Sequence, residues 1–247
     1  MKLLITLSLL LLFPALTSAQ DALSQLESVT ITINHDDGGK LSKRHLRHLL
    51  DALSEAGCKA VLPEASDAPT QLVFDPRPVS VVMKQRPDYR LIARARTLDG
   101  ELHVRGAILV HASRGITDVS SLKKEWISFV SKESWSGYHL PLQLLQQAGI
   151  NESSNPFFFI GNHIGVVGAL LHRDVHVAIT AEPLARRWAE QNSLSIVAVT
   201  DEVETGGWWL QRSVPEKLTQ NCSRAVMGLD GTRYKTLPAW IGSFVTP

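Results

Sequence analysis

The sequence is poor in the residues that mark several common classes of protein. Only two of its 247 residues are cysteine, 6% are aromatic, and 25 lysines and arginines nearly balance 24 acidic residues. A chain without a basic excess is poorly suited to a polyanion, so we expect no nucleic-acid partner. Two cysteines are too few for a disulfide scaffold, and Cys58 and Cys222 could pair in an oxidising compartment or remain buried thiols.

The motifs of common catalytic and cofactor sites are also missing. The sequence has no Gly-x-Gly-x-x-Gly segment, no phosphate-loop lysine and no His-Glu-x-x-His pair, and its nine histidines are scattered. Ser134 and His163 could be imagined as nucleophile and base, but neither a nucleophile-elbow spacing nor a third, orienting acid is evident. We therefore predict no catalytic residue, no cofactor and no metal site, and we favour binding over the alternative of an exported hydrolase.

Long apolar runs are missing as well, except at the N-terminus. Lys2 precedes an apolar run over residues 3–16, and small residues follow at 17–19. This order predicts a signal peptide cleaved before Gln20, with a buried N-terminal helix as the alternative. No later run reaches the roughly 18–20 apolar residues that a membrane helix needs. We therefore expect a soluble, monomeric protein in the periplasm, without a lipid anchor because no cysteine lies near the cleavage point.

Short β-rich runs alternate with amphipathic helical runs from Val29 onward, which is typical of βαβ units and a mostly parallel sheet. The pattern predicts strands at 29–33, 71–74, 79–83, 89–96, 104–110, 126–130, 157–160, 175–180 and 194–199. It predicts helices at 41–56, 137–148, 163–172, 182–191 and 215–227. No disordered linker separates these elements, so the chain is either one α/β sheet or two α/β lobes joined by strands that cross between them.

Three predicted strands are each followed by a short polar loop and a helix, at 131–138, 161–163 and 180–183. Loops that follow parallel strands leave the same edge of a sheet, so the three helix N-termini should converge. A helix N-terminus presents unpaired N–H groups and a partial positive charge, which together favour a bound anion. The sequence therefore predicts an anion site at this edge.

Polar side chains occur at these helix starts. Ser134 and Ser136 bracket Gly137, where their hydroxyl groups could surround an oxyanion, although serine is also an ordinary N-cap. His163 could donate a hydrogen bond to the same anion, or it could cap its helix or lie in the core. Tyr138 is equally compatible with ligand contact and with packing.

The first of these loops has a specific pattern. Ser134-Trp135-Ser136-Gly137-Tyr138-His139-Leu140-Pro141 resembles the Ser-Thr-Ser-Gly-Tyr-x-x-Pro segment of the phosphate/phosphite/phosphonate-binding subunits of ABC transporters. Gly161-Asn162-His163 is similar to that family's Gly-Ser-His, and weaker similarity extends over most of the mature chain.

The resemblance implies a type II periplasmic-binding-protein fold, in which two α/β lobes joined by two crossover strands enclose a ligand cleft. Lobe one would contain residues 20–106 and 208–247, and lobe two residues 107–207 with the crossover strands. The implied function is capture of a small oxyanion for the permease of an ABC importer. The alternative is a sensor or orphan receptor of the same fold that signals to a membrane partner. Cys58 and Cys222 would both lie in lobe one and could form a bridge.

The resemblance also implies which residues contact the ligand. The candidate contacts are Ser134, Trp135, Ser136, Gly137, Tyr138, His163, His176 and Arg77. Two acids of the family are replaced here, one by Ile164 and one by His176, which we expect on a strand edge facing the cleft. Their loss disfavours a ligand that bears an amine. Arg77 could be a compensating partner for the anion, or simply an exposed surface arginine.

Overall fold

The computed structural model describes residues 28–34, 42–64 and 69–247. The predicted signal peptide and its cleavage site before Gln20 lie outside this part of the chain. Among the described residues, no helix has the length and apolar character required to cross a membrane.

The described residues form thirteen strands and six α-helices. The strands are β1 (Val29–Ile33), β2 (Ala60–Val61), β3 (Leu72–Asp75), β4 (Tyr89–Thr97), β5 (His103–Val104), β6 (Gly106–His111), β7 (Ile127–Phe129), β8 (Phe157–Phe159), β9 (Val177–Ala181), β10 (Leu194–Val199), β11 (Val203–Glu204), β12 (Gly207–Gln211) and β13 (Ile241–Val245). The helices are α1 (Lys43–Glu55), α2 (Val79–Gln85), α3 (Leu140–Gln147), α4 (His163–Leu171), α5 (Glu182–Gln191) and α6 (Glu216–Met227).

Two large sheets organise the molecule, and each is the centre of one lobe. Lobe one is built on the six-stranded sheet β13-β4-β12-β3-β1-β2, which combines the beginning and the end of the chain. Lobe two is built on the five-stranded sheet β10-β6-β9-β7-β8 from the middle of the chain. The prediction of a two-lobed α/β fold is confirmed.

Both sheets are mixed, so the prediction of a mostly parallel sheet is wrong. The strands β1, β2 and β3 are parallel to one another, as are β7, β8 and β9. By contrast, β12 is antiparallel to β3 and β4, and β6 is antiparallel to β9 and β10. The strands β6 and β12, by which the chain enters a lobe, run opposite to their neighbours, and the last strand β13 is antiparallel to β4. Local βα alternation does not reveal this arrangement.

The chain crosses between the lobes twice, and the two crossings are paired. The strands β5 and β11 form a two-stranded antiparallel ladder in which Val104 faces Val203. Glycines next to this ladder allow close approach: a Cβ on Gly106 would lie 2.5 Å from the carbonyl oxygen of Ser136, and one on Gly206 would lie 2.1 Å from that of Asp75. The crossings therefore pack directly against residues at the edges of both large sheets.

A disulfide ties the two chain segments of lobe one together. Cys58, between α1 and β2, is bonded to Cys222 in α6, and the two Cα atoms are 4.5 Å apart. Both side chains lie in the buried core of lobe one, which also contains Trp208 and Phe74. The bridge that the resemblance implied is therefore present.

One predicted strand, at 79–83, is instead the short helix α2. Valine-rich runs favour strands by propensity, but that preference is easily overridden by packing. Pro78 precedes the helix with the fixed φ that suits a helix start, and Val82 is buried against Val73 and Trp209 on one face of the six-stranded sheet.

Candidate functional site

The loops that follow β7, β8 and β9 lie at one edge of the lobe-two sheet, as the sequence predicts. These strands are parallel, so their carboxyl ends coincide. Direct contacts join the loops: Gly161 donates its backbone N–H to the oxygen of Val130 at 2.8 Å, and Ala181 donates its own to Nδ1 of His163 at 3.2 Å. The starts of α3, α4 and α5 are therefore brought together here.

The residues after β7, which we call the serine loop (residues 131–139), end in one π-helical turn over Trp135–His139. Oγ of Ser134 accepts a hydrogen bond from the N–H of Gly137 at 3.0 Å, so Ser134 is the N-cap of this turn. Gly137 is required by space, because a Cβ there would lie 2.4 Å from Cγ2 of Val130. Single π-turns of this kind are frequent at functional sites.

Ser136 has a different environment from Ser134. Its side chain is 1% exposed, and its Oγ has no hydrogen-bond partner among the described residues. A buried hydroxyl without a partner costs about 1–3 kcal/mol, and such groups are uncommon in native proteins unless a ligand or water satisfies them. Ser136 is therefore the polar group at this edge that is best placed to bind a ligand.

His163, the first residue of α4, is held rigidly at the same edge. The ring is 1% exposed, and its Nδ1 lies 3.0 Å from Oγ1 of Thr180 in addition to accepting the Ala181 N–H. A ring nitrogen that accepts a hydrogen bond carries no proton, so the neutral ring carries its proton on Nε2. The contacts with β9 fix both the orientation and the tautomer of this side chain.

The aromatic residues of the serine loop are half-buried. Tyr138 packs edge-on against Phe129, with ring centroids 5.2 Å apart, and against Phe159 at 5.4 Å. The ring of Trp135 lies 5.3 Å from that of His139. Burial lowers the pKa of His139, and the nearby carboxylate of Glu133 only partly opposes this effect. The aromatic rings thus hold the loop against the end of the sheet.

Arg77 lies in lobe one and is engaged in an ion pair. Its Nη2 and Nε atoms bind the two carboxylate oxygens of Asp75 at 2.6 and 2.8 Å. Asp75 is fully buried at the end of β3 and also accepts a hydrogen bond from Asn34. The hydrogen bond that Arg77 donates to Asp75 raises the pKa of Arg77 despite partial burial. The positive charge of Arg77, which we considered as a partner for an anionic ligand, is therefore already paired with the buried carboxylate of Asp75.

The structure separates His176 from the other candidates, so its expected place facing the cleft is wrong. His176 precedes β9, whereas the site lies beyond the opposite end of that strand, about 16 Å away for five residues at roughly 3.3 Å each. Its ring stacks on Trp126, and its Nδ1 lies 2.6 Å from Oε2 of Glu125. Residues at the start of a parallel strand lie at the edge opposite to the loops that follow it.

Glu182, the first residue of α5, is a further charged residue at this edge, and the sequence did not predict its role. Its side chain is buried, and its carboxylate binds Nε of Arg186 at 2.8 Å and Nη1 of Arg105 at 3.4 Å. Arg105 also pairs with Glu202 of the second crossing. These charged residues line a polar cavity of about 390 Å³ beside the crossings. The sequence feature that could have identified this residue is the position of an acid at the start of the third converging helix.

Comparison with known families gives one extended match. Residues 69–243 match the model of a family described as ABC transporter, phosphonate, periplasmic substrate-binding protein. No curated protein sequence matches the chain.

Solved structures share the overall fold. PhnD1 from Prochlorococcus marinus in complex with methylphosphonate has a TM-score of 0.64 and 16% identity, over 90% of this chain and 93% of that one. A binding protein component of an ABC phosphonate transporter from Pseudomonas aeruginosa has a TM-score of 0.60 and 13% identity, over 89% and 81%. A Xanthomonas citri protein bound to ATP has a TM-score of 0.56 and 15% identity, over 90% and 91%. At these identities the similarity identifies the fold, the type II periplasmic-binding-protein fold of two lobes.

Proposed function

Because the chain belongs to the family of periplasmic phosphonate-binding proteins of ABC transporters, we propose that it captures a small oxyanion of the phosphate, phosphite or phosphonate type for an importer. The family implies a periplasmic protein that binds a small ligand and works with an ABC permease, rather than an enzyme. We further propose that residues 1–19 are the signal peptide that directs export.

The observation that carries this proposal is the buried hydroxyl group of Ser136, which has no hydrogen-bond partner within residues 28–34, 42–64 and 69–247. It lies in the turn that begins α3, beside the starts of α4 and α5. A phosphonyl or phosphate oxygen would accept a hydrogen bond from this hydroxyl group, which would relieve the cost of its burial. The positive ends of three helices would add a favourable electrostatic contribution.

His163 supports the same function. Its ring lies at the same edge of the sheet, beside the starts of α4 and α5, and is held in a fixed orientation by the Ala181 N–H and Oγ1 of Thr180. Ser136 and His163 are thus the two side chains that we propose as principal contacts, with Ser134, Trp135, Gly137 and Tyr138 shaping the turn.

Calorimetric titration of the chain from Gln20 onward with phosphate, phosphite and methylphosphonate tests the proposal. We expect at least one of these anions to bind. The Ser136→Ala variant should bind it at least tenfold more weakly, since a hydrogen bond to a charged group contributes about 1.5–3 kcal/mol.

Ser128→Ala is the matched control, because Ser128 is a buried serine of the same lobe whose Oγ already donates to the oxygen of Val177. This variant should lose stability and keep its affinity. Failure of all three anions to bind, or equal affinity of the wild type and Ser136→Ala, would contradict the proposal.

A further inference from the structure

We propose that the ligand carries an apolar substituent beside its anionic group, and that Ile164, supported by Ile160, is the residue that selects this substituent over a cationic one. The inference rests on the proposed function, since it assumes that the anion binds at Ser136. It adds the chemical class of the remainder of the ligand.

Exposed apolar side chains are concentrated in one short segment. Eight large hydrophobic side chains are exposed among the described residues, and half of them lie within seven positions of each other: Phe158, Phe159, Ile160 and Ile164. Ile164 is 52% exposed although it is in the first turn of a helix whose other apolar residues are mostly buried. Scattered exposed apolar residues need no explanation, but a concentration of them marks a binding surface.

This apolar segment adjoins the serine loop. Ile160 donates its backbone N–H to the oxygen of Phe129 at the end of β7, at 3.0 Å. Phe159 packs on Tyr138, two positions after Ser136. Ile160 also reaches the first turn of α4, because a Cβ on Gly165 would lie 2.9 Å from its Cγ2. Ile160 therefore lies against the first turn of α4, the turn that also contains the exposed side chain of Ile164, at the end of the sheet where the serine loop lies.

The charges around the edge favour an uncharged substituent. The buried carboxylates nearby already have cationic partners: Glu182 binds Arg105 and Arg186, and Asp75 binds Arg77. The serine loop contains one acid, Glu133, which is exposed to solvent. A ligand ammonium group lying on Ile160 and Ile164 would lose hydration without gaining a carboxylate partner, whereas an alkyl group there would gain from leaving water.

Two phosphonates of equal size and shape test the inference. Propylphosphonate and 2-aminoethylphosphonate differ only in whether a methyl or an ammonium group ends the substituent. We expect the wild-type protein to bind propylphosphonate at least tenfold more tightly. Ile164→Glu should reduce this preference at least tenfold or reverse it, because the new carboxylate would lie beside the ammonium group. An acid in the first turn of a helix suits the helix dipole, so α4 should remain folded.

The matched control is Met83→Glu, which places the same charge at an exposed apolar position of lobe one. It should leave the ratio of the two affinities unchanged. If phosphate and methylphosphonate bind but 2-aminoethylphosphonate binds as tightly as propylphosphonate, this inference is overturned and the proposed function stands. An equal change of the ratio in both variants would remove Ile164 from its selecting role. If no anion binds the wild type, both proposals fail.

Discussion

Ser134 and Ser136 lie two positions apart in one turn, yet their hydroxyl groups have different roles. The turn directs Oγ of Ser134 toward the N–H of Gly137 and leaves Oγ of Ser136 buried without a partner among the described residues. A serine side chain can act either as a cap or as a ligand contact. Which serine does which depends on the π-helical turn, a backbone feature that the sequence did not predict.

Arg77 and His176 show a second limit at the scale of single residues. Both are polar residues next to predicted strands, and the sequence places them near the ends of those strands. The sequence does not show which partner each polar side chain will bind. Arg77 binds Asp75, two residues away, whereas His176 binds Glu125, some fifty residues away. The nearest opposite charge in space decides this, and it is known only once the strands are in register.

The ion pair between Arg77 and Asp75 should stabilise lobe one. Replacing Arg77 by Met leaves a buried carboxylate without its cation, which typically costs about 3–5 kcal/mol. We expect the variant to unfold at a markedly lower urea concentration than the wild type. Combining Arg77→Met with Asp75→Asn should recover most of the loss, since no uncompensated charge remains. Equal destabilisation in the single and the double variant would show that Arg77 acts through packing instead.

At the scale of elements, the sequence predicted most of the strands and helices and the convergence of three helix starts. This succeeded because β7, β8 and β9 are parallel and each is followed by a polar loop, so the local sequence pattern agrees with the fold. The helix α2 was mistaken for a strand because its valines have a local preference that packing on Trp209 overrides. The helix predicted from Gly137 onward begins as a π-turn at Trp135 and continues as α3 from Leu140.

Gly137 allows the serine loop to close, and we expect its replacement by alanine to disrupt the loop. The new methyl group would overlap Val130 and Oγ of Ser134. Overpacking of this kind typically costs about 1–3 kcal/mol, and displacement of Ser136 should lower anion affinity at least tenfold.

Gly168→Ala is the control for this substitution. Gly168 lies inside α4 with open space where a Cβ would be placed, so alanine should stabilise the helix by about 0.5–1 kcal/mol. Thermal unfolding and calorimetric titration of both variants measure the two effects. If Gly137→Ala retains wild-type affinity, the shape of the turn is not what positions Ser136.

At the scale of the whole molecule, lobe two is a continuous stretch of chain, whereas lobe one is assembled from two distant segments. The first segment supplies β1 to β4, and the second supplies β12, α6 and β13. The disulfide between Cys58 and Cys222 joins these segments across 164 residues of sequence. The sequence pattern suggested a choice between one sheet and two lobes, and only the long-range pairing of β12 with β3 and β4 decides it.

Removal of this disulfide should weaken lobe one in particular. We expect the Cys58→Ser, Cys222→Ser double variant to lose about 2–5 kcal/mol of unfolding free energy, as is usual for a native bridge. Wild-type protein treated with a thiol reductant is the control, and its urea midpoint should fall to that of the double variant. Anion affinity at 25 °C should be unchanged, because the serine loop belongs to lobe two. An unchanged urea midpoint in the variant would contradict a stabilising role.

The position of β12 has a consequence for how the protein folds as its chain emerges during export. This strand lies between β3 and β4, although it is made more than a hundred residues after them. Until it arrives, both neighbours have an open edge, and open edges are templates for pairing with other chains. Cys58 is separated from its disulfide partner by still more of the chain, 164 residues. Lobe two, being continuous, can finish folding first, and a chain that stops there carries two unpaired strand edges and a reactive thiol. The emerging chain is therefore most exposed to aggregation and mispairing just before its last forty residues appear.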